Sequence, residues 1–406
     1  MKILLGVTGG IAAYKSAQLV REFVKRGDEV RVVMTQSAQQ FITPMTLQIL
    51  SENPVGTTLF DPTYESEIGH IDLARWADVV LIAPATANTI ASIAHGFAND
   101  LLTTVLLATT APVVIAPAMN TQMWLDVRVQ QNLERIAQLP AHSVIAPDAG
   151  ELACKEVGAG RLPDPPEILA AVDRAVTPAH LSGKHVLISA GPTREAIDPA
   201  RFISNPSSGK MGYAMAQAAR QLGAERVTLV SGPTALDAPP GVQIERVTTA
   251  AQMFDAIMAH APEADLIIKS AAVADWRPAD SSDRKRTKSE MSGHLELERT
   301  RDILAHLGDL YGPGGEHDGA GKVLVGFAAE SHDVVERGRA KLARKHAHWL
   351  IANQIGGPLS SFGADRSSAV LLSHADRFEP VQVGPAPKAE VALELLIQIA
   401  TRSFPT

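Results

Sequence analysis

The sequence has almost no cysteine: Cys154 is the only one among 406 residues. A single thiol cannot form a disulfide within the chain or supply a multi-cysteine zinc site, and such low usage is typical of a reducing compartment. A chain of this length can bury large cores without disulfide or metal staples, and its length predicts two or three domains. We therefore expect a multidomain fold that needs no structural metal.

The chain has no long block of charge of one sign. The 37 basic and 44 acidic residues give a net charge of −7 without long single-sign blocks. Because nucleic acid and anionic membranes attract dense positive charge, we expect neither as a partner. Residues 1–4 lack the apolar core and the small-residue cleavage site of a signal peptide, which predicts a cytoplasmic protein.

The sequence also lacks a pattern typical of a membrane span. Residues 101–125 carry no charge, but Pro112 and Pro117 interrupt the stretch and several of its side chains are polar. This pattern favours a helix followed by a strand at 113–116 that is buried on both faces. We therefore predict no spanning helix.

Two similar glycine turns lack the dinucleotide fingerprint. An apolar strand runs into glycine at residues 3–10, and another does so at residues 185–194. A strand that ends in such a turn lets a helix begin at once, and the backbone N–H groups at the helix start attract phosphate. Each turn therefore predicts a phosphate site or, as the alternative, merely ends a core strand. The glycine spacing disfavours a pyridine-nucleotide dehydrogenase.

Apolar, β-branched runs alternate with helical patterns twice along the chain. This rhythm predicts an α/β fold with two doubly wound, Rossmann-like open parallel sheets in tandem. A connector at 177–183 places the boundary near residue 182, between domains 1–182 and 183–406. The charged stretch 277–298 is poor in large apolar residues, so we expect it to be mobile. The predicted strands are 3–7, 29–34, 79–83, 113–116 and 143–146, then 186–189, 227–231, 266–270, 323–327 and 349–352.

Polar residues follow four predicted strands of the first half. In doubly wound sheets, ligands bind beyond the carboxyl ends of the strands, so these residues are expected to line one crevice. Two of the turns contain Ala-Pro-Ala, whose small side chains let a flat aromatic ring approach the backbone. The candidate cofactor-binding residues are Gly9, Gly10, Thr35, Ser37, Pro84, Ala85, Thr86, Asn88, Ala118 and Met119.

Four stretches of the first half also carry a family resemblance. They are residues 6–15, 69–71, 117–120 and 153–161, in that order. With them, almost all of the first 180 residues resembles the homo-oligomeric flavin-containing cysteine decarboxylases, specifically the phosphopantothenoylcysteine decarboxylases. The resemblance implies FMN as the cofactor and trimeric contacts between copies of this half.

The resemblance implies a catalytic role for each of three residues. His70 would act as a base or orienting donor in the flavin-dependent oxidation of the substrate's thiol-bearing end. Asn120 would bind the carboxylate that leaves as carbon dioxide, and Cys154 would protonate the remaining intermediate. Without the resemblance, His70 is interpreted as a surface or capped histidine, and Asn120 as the cap of a helix at 122–125.

The densest polar motif of the chain lies in the second half, at residues 201–212, and runs into a predicted helix at 213–222. It has the composition of an anion cradle. An ordinary phosphate-binding P-loop is rejected, because the leading glycine is absent and Asn205-Pro206 stands at its start. The alternative is a polar turn that caps the helix.

The second half resembles the phosphopantothenate-cysteine ligases at residues 191–195, 201–212, 271–276 and 326–330. In the bacterial fused form, the ligase follows the decarboxylase as it does here. The resemblance implies that CTP, with Mg²⁺, activates the carboxylate of 4'-phosphopantothenate to an acyl-cytidylate, which the amine of L-cysteine then attacks. It also implies dimeric contacts between copies of this half.

The matched motifs assign individual residues to this reaction. Asn205 would stabilise the acyl-cytidylate, and Arg201 would bind substrate with it. Asp275 would hold the ribose, Phe327 would frame the cytosine, and Lys285 would meet the triphosphate. The full nucleotide-binding set is Lys269, Ser270, Ala271, Asp275, Lys285, Asp302, Ile303, Phe327, Lys341 and Lys345. Without the resemblance, Lys341 and Lys345 form a solvated helix face.

Three positions depart from the ligase pattern: Arg286-Thr287 in the charged loop, Thr300-Arg301 before Asp302, and Gln354 after a late strand. The two resemblances together predict a bifunctional enzyme that carries out successive steps of coenzyme A biosynthesis. A flavin prenyltransferase fused to an unknown partner is one alternative, which Asn120 and Cys154 disfavour. A non-catalytic regulatory protein is the other, and the presence of these residues and of His70 disfavours it.

Overall fold

The computed structural model describes residues 1–59, 69–151, 157–287, 294–354 and 364–404. The chain forms two compact units, Met1–Pro178 and Ala179–Thr406. The division falls within the connector at 177–183 that the sequence suggests. In the described part of the chain, no helix combines the length and the apolar character that crossing a bilayer requires.

A six-stranded parallel sheet forms the centre of the first unit. Its strands are β1 (Lys2–Val7), β2 (Glu29–Met34), β3 (Val55–Gly56), β4 (Val79–Ala85), β5 (Val113–Pro117) and β6 (His142–Val144). Their spatial order is β3-β2-β1-β4-β5-β6, and every neighbouring pair is parallel. All residues of β4 and β5 are buried, as expected for strands that are covered on both faces.

Helices cover both faces of this sheet. They are α1 (Ser16–Lys25), α2 (Pro44–Ser51), α3 (Gly69–Trp76), α4 (Ala87–His95), α5 (Leu101–Ala108), α6 (Thr121–Leu125), α7 (Val127–Ala137) and α8 (Pro165–Val176). Side chains alternate along β1, so Ile3 and Leu5 belong to one buried cluster and Leu4 to the other. A small antiparallel hairpin, β7 (Asp148–Glu151) and β8 (Val157–Arg161), follows the sheet.

The second unit contains an eight-stranded sheet and two small hairpins. The strands are β9 (His185–Ala190), β10 (Arg194–Asp198), β11 (Arg201–Ser204), β12 (Arg226–Ser231), β13 (Gln243–Arg246), β14 (Leu266–Lys269), β15 (Trp276–Pro278), β16 (Leu297–Arg299), β17 (Val323–Glu330), β18 (Trp349–Gln354), β19 (Arg366–Ser373) and β20 (Val381–Pro387). The order of the large sheet is β13-β12-β9-β14-β17-β18-β19-β20. The hairpins pair β10 with β11 and β15 with β16.

The predicted α/β class with doubly wound sheets is confirmed, but one edge of the second sheet was not foreseen. The strands from β13 to β18 run parallel, whereas β19 and β20 are antiparallel to their neighbours. Only residues 355–365 separate β18 from β19. A parallel crossover needs a dozen or more residues and usually a helix, so this short connection favours an antiparallel edge.

Among the described residues of the second unit, the α-helices are α9 (Lys210–Gln221), α10 (Ala250–His260), α11 (Ile303–Tyr311), α12 (Val334–Arg344) and α13 (Lys388–Ser403). The two faces of the sheet carry separate cores, since Ile188 and Leu187, adjacent on β9, belong to different buried clusters. Parallel strands end at the same edge of a sheet. The start of α9 lies at that edge, beside Ala190 at the end of β9.

Replacing Gly212 by valine is expected to destabilise the second unit by about 1–3 kcal/mol, the usual cost of overpacking. Gly212 lies in α9, and a Cβ there would sit 2.5 Å from the Ala190 Cβ and 2.8 Å from the Ser270 hydroxyl. Urea unfolding followed by circular dichroism measures the change. The control is Gln217→Val, which places the same residue at an exposed position of the same helix. Equal unfolding midpoints for the two variants would contradict this packing.

Candidate functional site

The turns after β1 and β4 are tied together at the carboxyl edge of the first sheet. The buried hydroxyl of Thr8 donates to the Pro84 carbonyl at 2.7 Å and accepts from the Thr86 N–H at 3.0 Å. Thr86 in turn caps α4, since its hydroxyl accepts from the Thr89 N–H at 3.3 Å. The positive end of the α4 dipole therefore lies at this edge. Thr8 is not among the predicted cofactor-binding residues, although its place in the glycine turn after β1 marks it.

The loops after β1 and β2 approach each other too closely for a side chain at Gly9. A Cβ there would lie 2.3 Å from the Ser37 Cβ and 2.8 Å from the Ser37 carbonyl carbon. Gly10 precedes a short 3₁₀ helix, Ile11–Lys15, which no side chain of the described residues caps. Backbone N–H groups at an uncapped helix start favour anions. This corner is therefore suited to a phosphate group.

The end of β5 lies beside the end of β4. The Ala118 N–H donates to the Ala85 carbonyl at 3.1 Å, which joins the two turns. The side-chain oxygen of Asn120 accepts from the Gln122 N–H at 2.8 Å and caps α6. The helix-cap interpretation of Asn120 is thus correct in geometry, and the cap fixes the orientation of the Asn120 amide.

The hairpin of β7 and β8 packs against the segment that follows β5. The Met119 N–H donates to the Gly160 carbonyl at 2.9 Å. A Cβ at Gly160 would lie 2.2 Å from the Met119 carbonyl oxygen, and one at Gly158 would lie 2.5 Å from the Thr121 hydroxyl. Only glycine at these two positions allows this packing. Cys154 lies outside the described residues, so its role stays a prediction.

The structure brings the predicted cofactor residues of the first half to one edge of the sheet. They lie at or just beyond the ends of β1, β2, β4 and β5, which are neighbours. The set is Gly9, Gly10, Thr35, Ser37, Pro84, Ala85, Thr86, Asn88, Ala118 and Met119. His70, the second residue of α3, is half-buried, and no hydrogen bond or ion pair within the described residues joins it to this edge.

A cavity of about 950 Å³ opens at the carboxyl ends of the strands in the second unit. It brings together residues from the loop before α9, from the ends of β14 and β17, and from the starts or ends of α11 and α12. The predicted residues that line it are Asn205, Lys269, Ser270, Ala271, Asp275, Asp302, Ile303, Phe327, Lys341 and Lys345. One cavity therefore holds most of the predicted ligase site.

The loop before α9 is anchored between two strand ends. The Asn205 amide nitrogen donates to the Ala272 carbonyl at 3.3 Å and to the Val273 carbonyl at 3.1 Å. Gly209 precedes α9 with a φ of +76°, and a Cβ there would lie 2.7 Å from the Thr234 methyl group. No side chain of the described residues caps α9. Its backbone N–H groups and dipole therefore favour an anion in the cavity.

Cationic side chains at the end of α12 and residues at the start of α11 line the cavity together. Lys345 forms an ion pair with Asp302, which also caps α11 by accepting from the Ala305 N–H at 3.0 Å. Burial opposes ionisation of Asp302, but these hydrogen bonds outweigh it and hold the pKa of that carboxyl below its usual value. Burial lowers the pKa of Lys341, which lines the same wall.

Thr300 and Arg301, which depart from the ligase pattern, have structural roles. The Thr300 hydroxyl donates to the Ala274 carbonyl at 2.6 Å, and its N–H donates to the Asp275 carbonyl at 3.0 Å. The Arg301 guanidinium lies over the Phe254 ring, 4.9 Å from its centroid. The segment before α11 is therefore held against the residues that precede β15.

Arg201 and Lys285 do not line this cavity. Arg201 donates to the Asp198 carboxylate from its Nε at 3.1 Å and to the Arg286 carbonyl at 3.0 Å. The hydrogen bonds from Arg201 and from backbone N–H groups hold the pKa of Asp198 well below its usual range. Arg201 thus fixes the loop that carries the exposed Lys285. Part of the segment predicted to be mobile, 288–293, lies outside the described residues.

Comparisons with known proteins cover both units. Residues 1–177 match the family model described as Flavoprotein, and residues 181–402 match that of the DNA/pantothenate metabolism flavoprotein C-terminal domain. A coenzyme A biosynthesis bifunctional protein CoaBC of Vibrio vulnificus is 45% identical over 403 residues, 98% of this chain and 97% of that protein. The CoaBC proteins of Bacillus subtilis and Escherichia coli are 44% and 43% identical and cover 100% and 99% of this chain, and 98% and 97% of their own lengths. A crystal structure of a CoaBC C-terminal domain covers 55% of this chain and 97% of its own at 42% identity, with a TM-score of 0.45.

Replacing Thr8 by valine is expected to destabilise the first unit by about 1–3 kcal/mol, because valine leaves the buried Pro84 carbonyl without its donor. Thr8→Ser is the matched control, since it keeps the hydroxyl that joins the turns. Urea unfolding of both variants measures the difference. The link between the turns would be unimportant if the valine and serine variants unfolded at the same urea concentration.

Proposed function

The chain belongs to the family of coenzyme A biosynthesis bifunctional proteins, and from that premise we propose that the two strand-edge sites carry its two activities. It is an enzyme with a phosphopantothenoylcysteine decarboxylase half followed by a phosphopantothenate-cysteine ligase half. The sequence-based prediction of this pairing is confirmed. The prenyltransferase and regulatory alternatives are not supported by this family.

FMN is the flavin that we propose for the first unit. Its phosphate would be held at the uncapped helix start after Gly10, beside Ser37, where the close approach at Gly9 leaves backbone exposed. Its flat ring would lie along the small turns at Ala85 and Ala118, which a hydrogen bond joins. When bound, FMN supplies the electron sink for oxidation of the substrate's thiol-bearing end, which lets the carboxylate leave.

Asn120 carries the proposal for the decarboxylase site. Its side-chain oxygen is engaged by the Gln122 N–H at 2.8 Å, which makes the amide NH₂ the group that would donate to the substrate carboxylate. A neutral donor suits this role, because a cation would stabilise the ground-state carboxylate and oppose its loss. We keep His70 as the base or orienting donor and Cys154 as the proton donor.

The cavity of about 950 Å³ in the second unit carries the proposal for the ligase site. Both of its proposed substrates, CTP and 4'-phosphopantothenate, are anions, and the cavity combines the uncapped start of α9 with Lys341 and Lys345. Asn205 lies on the wall beside Ala272, where it would contact the acyl-cytidylate before the amine of L-cysteine attacks.

Mg²⁺ would enter this cavity with the triphosphate. Among the described residues, no group of three or more His, Cys, Asp or Glu side chains forms a metal cage. Mg²⁺ in such sites is commonly held by substrate phosphates and waters with one or two carboxylates, so a cage is not required. The homo-oligomer, with trimeric contacts in the first half and dimeric contacts in the second, and the cytoplasmic location stay predictions.

Mass spectrometry tests both halves. It identifies the products that form when the chain is given phosphopantothenate, L-cysteine and CTP in the presence of Mg²⁺. The FMN-loaded chain is expected to form phosphopantetheine. Cys154→Ser is expected to accumulate phosphopantothenoylcysteine or an oxidised intermediate, because it lacks the thiol proton donor. Asn205→Ala is expected to slow ligation by about 100-fold, a loss of roughly 2.7 kcal/mol of transition-state stabilisation.

Gln217→Ala is the control for Asn205→Ala, since Gln217 is exposed on α9 and does not line the cavity. It is expected to ligate at the parental rate. A parent that binds flavin but consumes no CTP and forms neither product would refute the proposed assignment of the two sites. Parental ligation by Asn205→Ala would refute the role of that residue alone.

A further inference from the structure

The ammonium group of Lys269 is buried at the cavity of the second unit. Lys269 ends β14, lines the cavity and is 7% exposed. Its Nζ donates to the Ser189 hydroxyl at 2.9 Å and lies 3.9 Å from the Met253 sulfur. The Ser189 hydroxyl also accepts from the Ala271 N–H at 3.2 Å. The closest polar partner of this ammonium is therefore neutral.

No carboxylate among the described residues forms an ion pair with Lys269. Ser189 on β9, Met253 on α10 and the register partner Gly326 on β17 surround it without charge. The charged group that acts on it is Asp302 at the start of α11, and that carboxylate is already paired with Lys345. Burial therefore dominates and lowers the pKa of Lys269 to about 7.

We propose that Lys269 takes up a proton from solvent when the nucleotide binds, so that the cavity becomes more positive as an anion fills it. This inference rests on the proposed function of the cavity. In the empty cavity, a neutral amine beside Ser189 avoids the penalty of a buried unpaired charge. Anionic phosphate within about 4–6 Å favours the charged form, and the resulting ammonium donates a charge-assisted hydrogen bond to it.

The direction of the pH dependence follows from the pKa of about 7 in the empty cavity. Below this pH, Lys269 already carries its proton and binding needs none. Above it, each binding event must take a proton from solvent, so the affinity falls by up to about tenfold per pH unit until the pKa of the bound state is reached. The uptake is expected to be about half a proton at pH 7 and nearly one at pH 8.

Titration calorimetry of Mg²⁺ and CTP against the intact chain measures this uptake. Titrations in HEPES and in Tris, at pH 7 and pH 8, give the number of protons from the difference in observed heat between buffers.

Lys269→Met keeps an unbranched apolar side chain without the titrating amine. This variant is expected to lose the proton uptake and to bind CTP with an affinity that changes little from pH 7 to 9. Because the triphosphate itself titrates, the difference between parent and variant is the decisive quantity. Cytidine, which has no phosphate, is expected to bind without uptake.

Lys322→Met is the matched control. Burial also lowers the pKa of Lys322, but its ammonium donates to the Pro262 and Ala264 carbonyls and does not line the cavity. This variant is expected to keep the full uptake. If Lys269→Met does not fold, Lys269→Arg replaces it, and its permanent charge is expected to bind CTP without uptake.

Failure of the proposed role of Lys269 can be distinguished from failure of the proposed ligase site. If parent and Lys269→Met bind CTP with the same proton uptake, the role of Lys269 is refuted while the nucleotide site stands. If CTP does not bind to the parent at any pH, the proposed ligase site fails and the inference fails with it.

Discussion

Close backbone approach at the carboxyl edges of the sheets is the constraint on which both sites depend. Parallel strands end at the same edge, so the residues in the turns decide how near neighbouring turns can come. A Cβ at Gly9 would lie 2.3 Å from the Ser37 Cβ, and one at Gly160 would lie 2.2 Å from the Met119 carbonyl oxygen. In the second unit, Gly212 brings α9 equally close to Ala190. Larger residues at these points would push the turns apart and displace the backbone N–H groups that favour anions.

The central strands could be predicted from the sequence because they are buried on both faces. Such strands form continuous apolar runs, and β5, for example, is buried throughout and spans Val113–Pro117 where the sequence predicts 113–116. Several strands escaped prediction, and two cases show the physical reasons. The strand β3 has only two residues, too few for a pattern. The antiparallel direction of β19 and β20 follows from connection length and pairing partners, which a single strand's pattern does not contain.

The positions of the site residues could be predicted better than their interactions. Strand ends mark the edge where polar residues gather, so Asn120 and Asn205 could be located from sequence. The hydrogen bonds of Thr8 join residues 76 and 78 positions apart, and no local pattern encodes them. The lowered pKa of Lys269 is likewise not encoded by a local pattern, because it depends on burial by strands and helices that are distant in the sequence. The roles of His70 and Cys154 still depend on family resemblance.

The two edges differ in charge in the way that the two proposed reactions require. The predicted cofactor residues and Asn120 at the first edge are all uncharged, whereas Lys341, Lys345 and Lys269 line the second. A reaction that expels a carboxylate is slowed by a cation that stabilises the carboxylate before it leaves. A reaction between two phosphate-bearing substrates is slowed by their mutual repulsion unless cations offset it. An unpaired cation is unfavourable in an empty cavity: Lys345 is paired with Asp302, whereas burial beside a neutral hydroxyl disfavours the charged form of Lys269 and lowers its pKa to about 7.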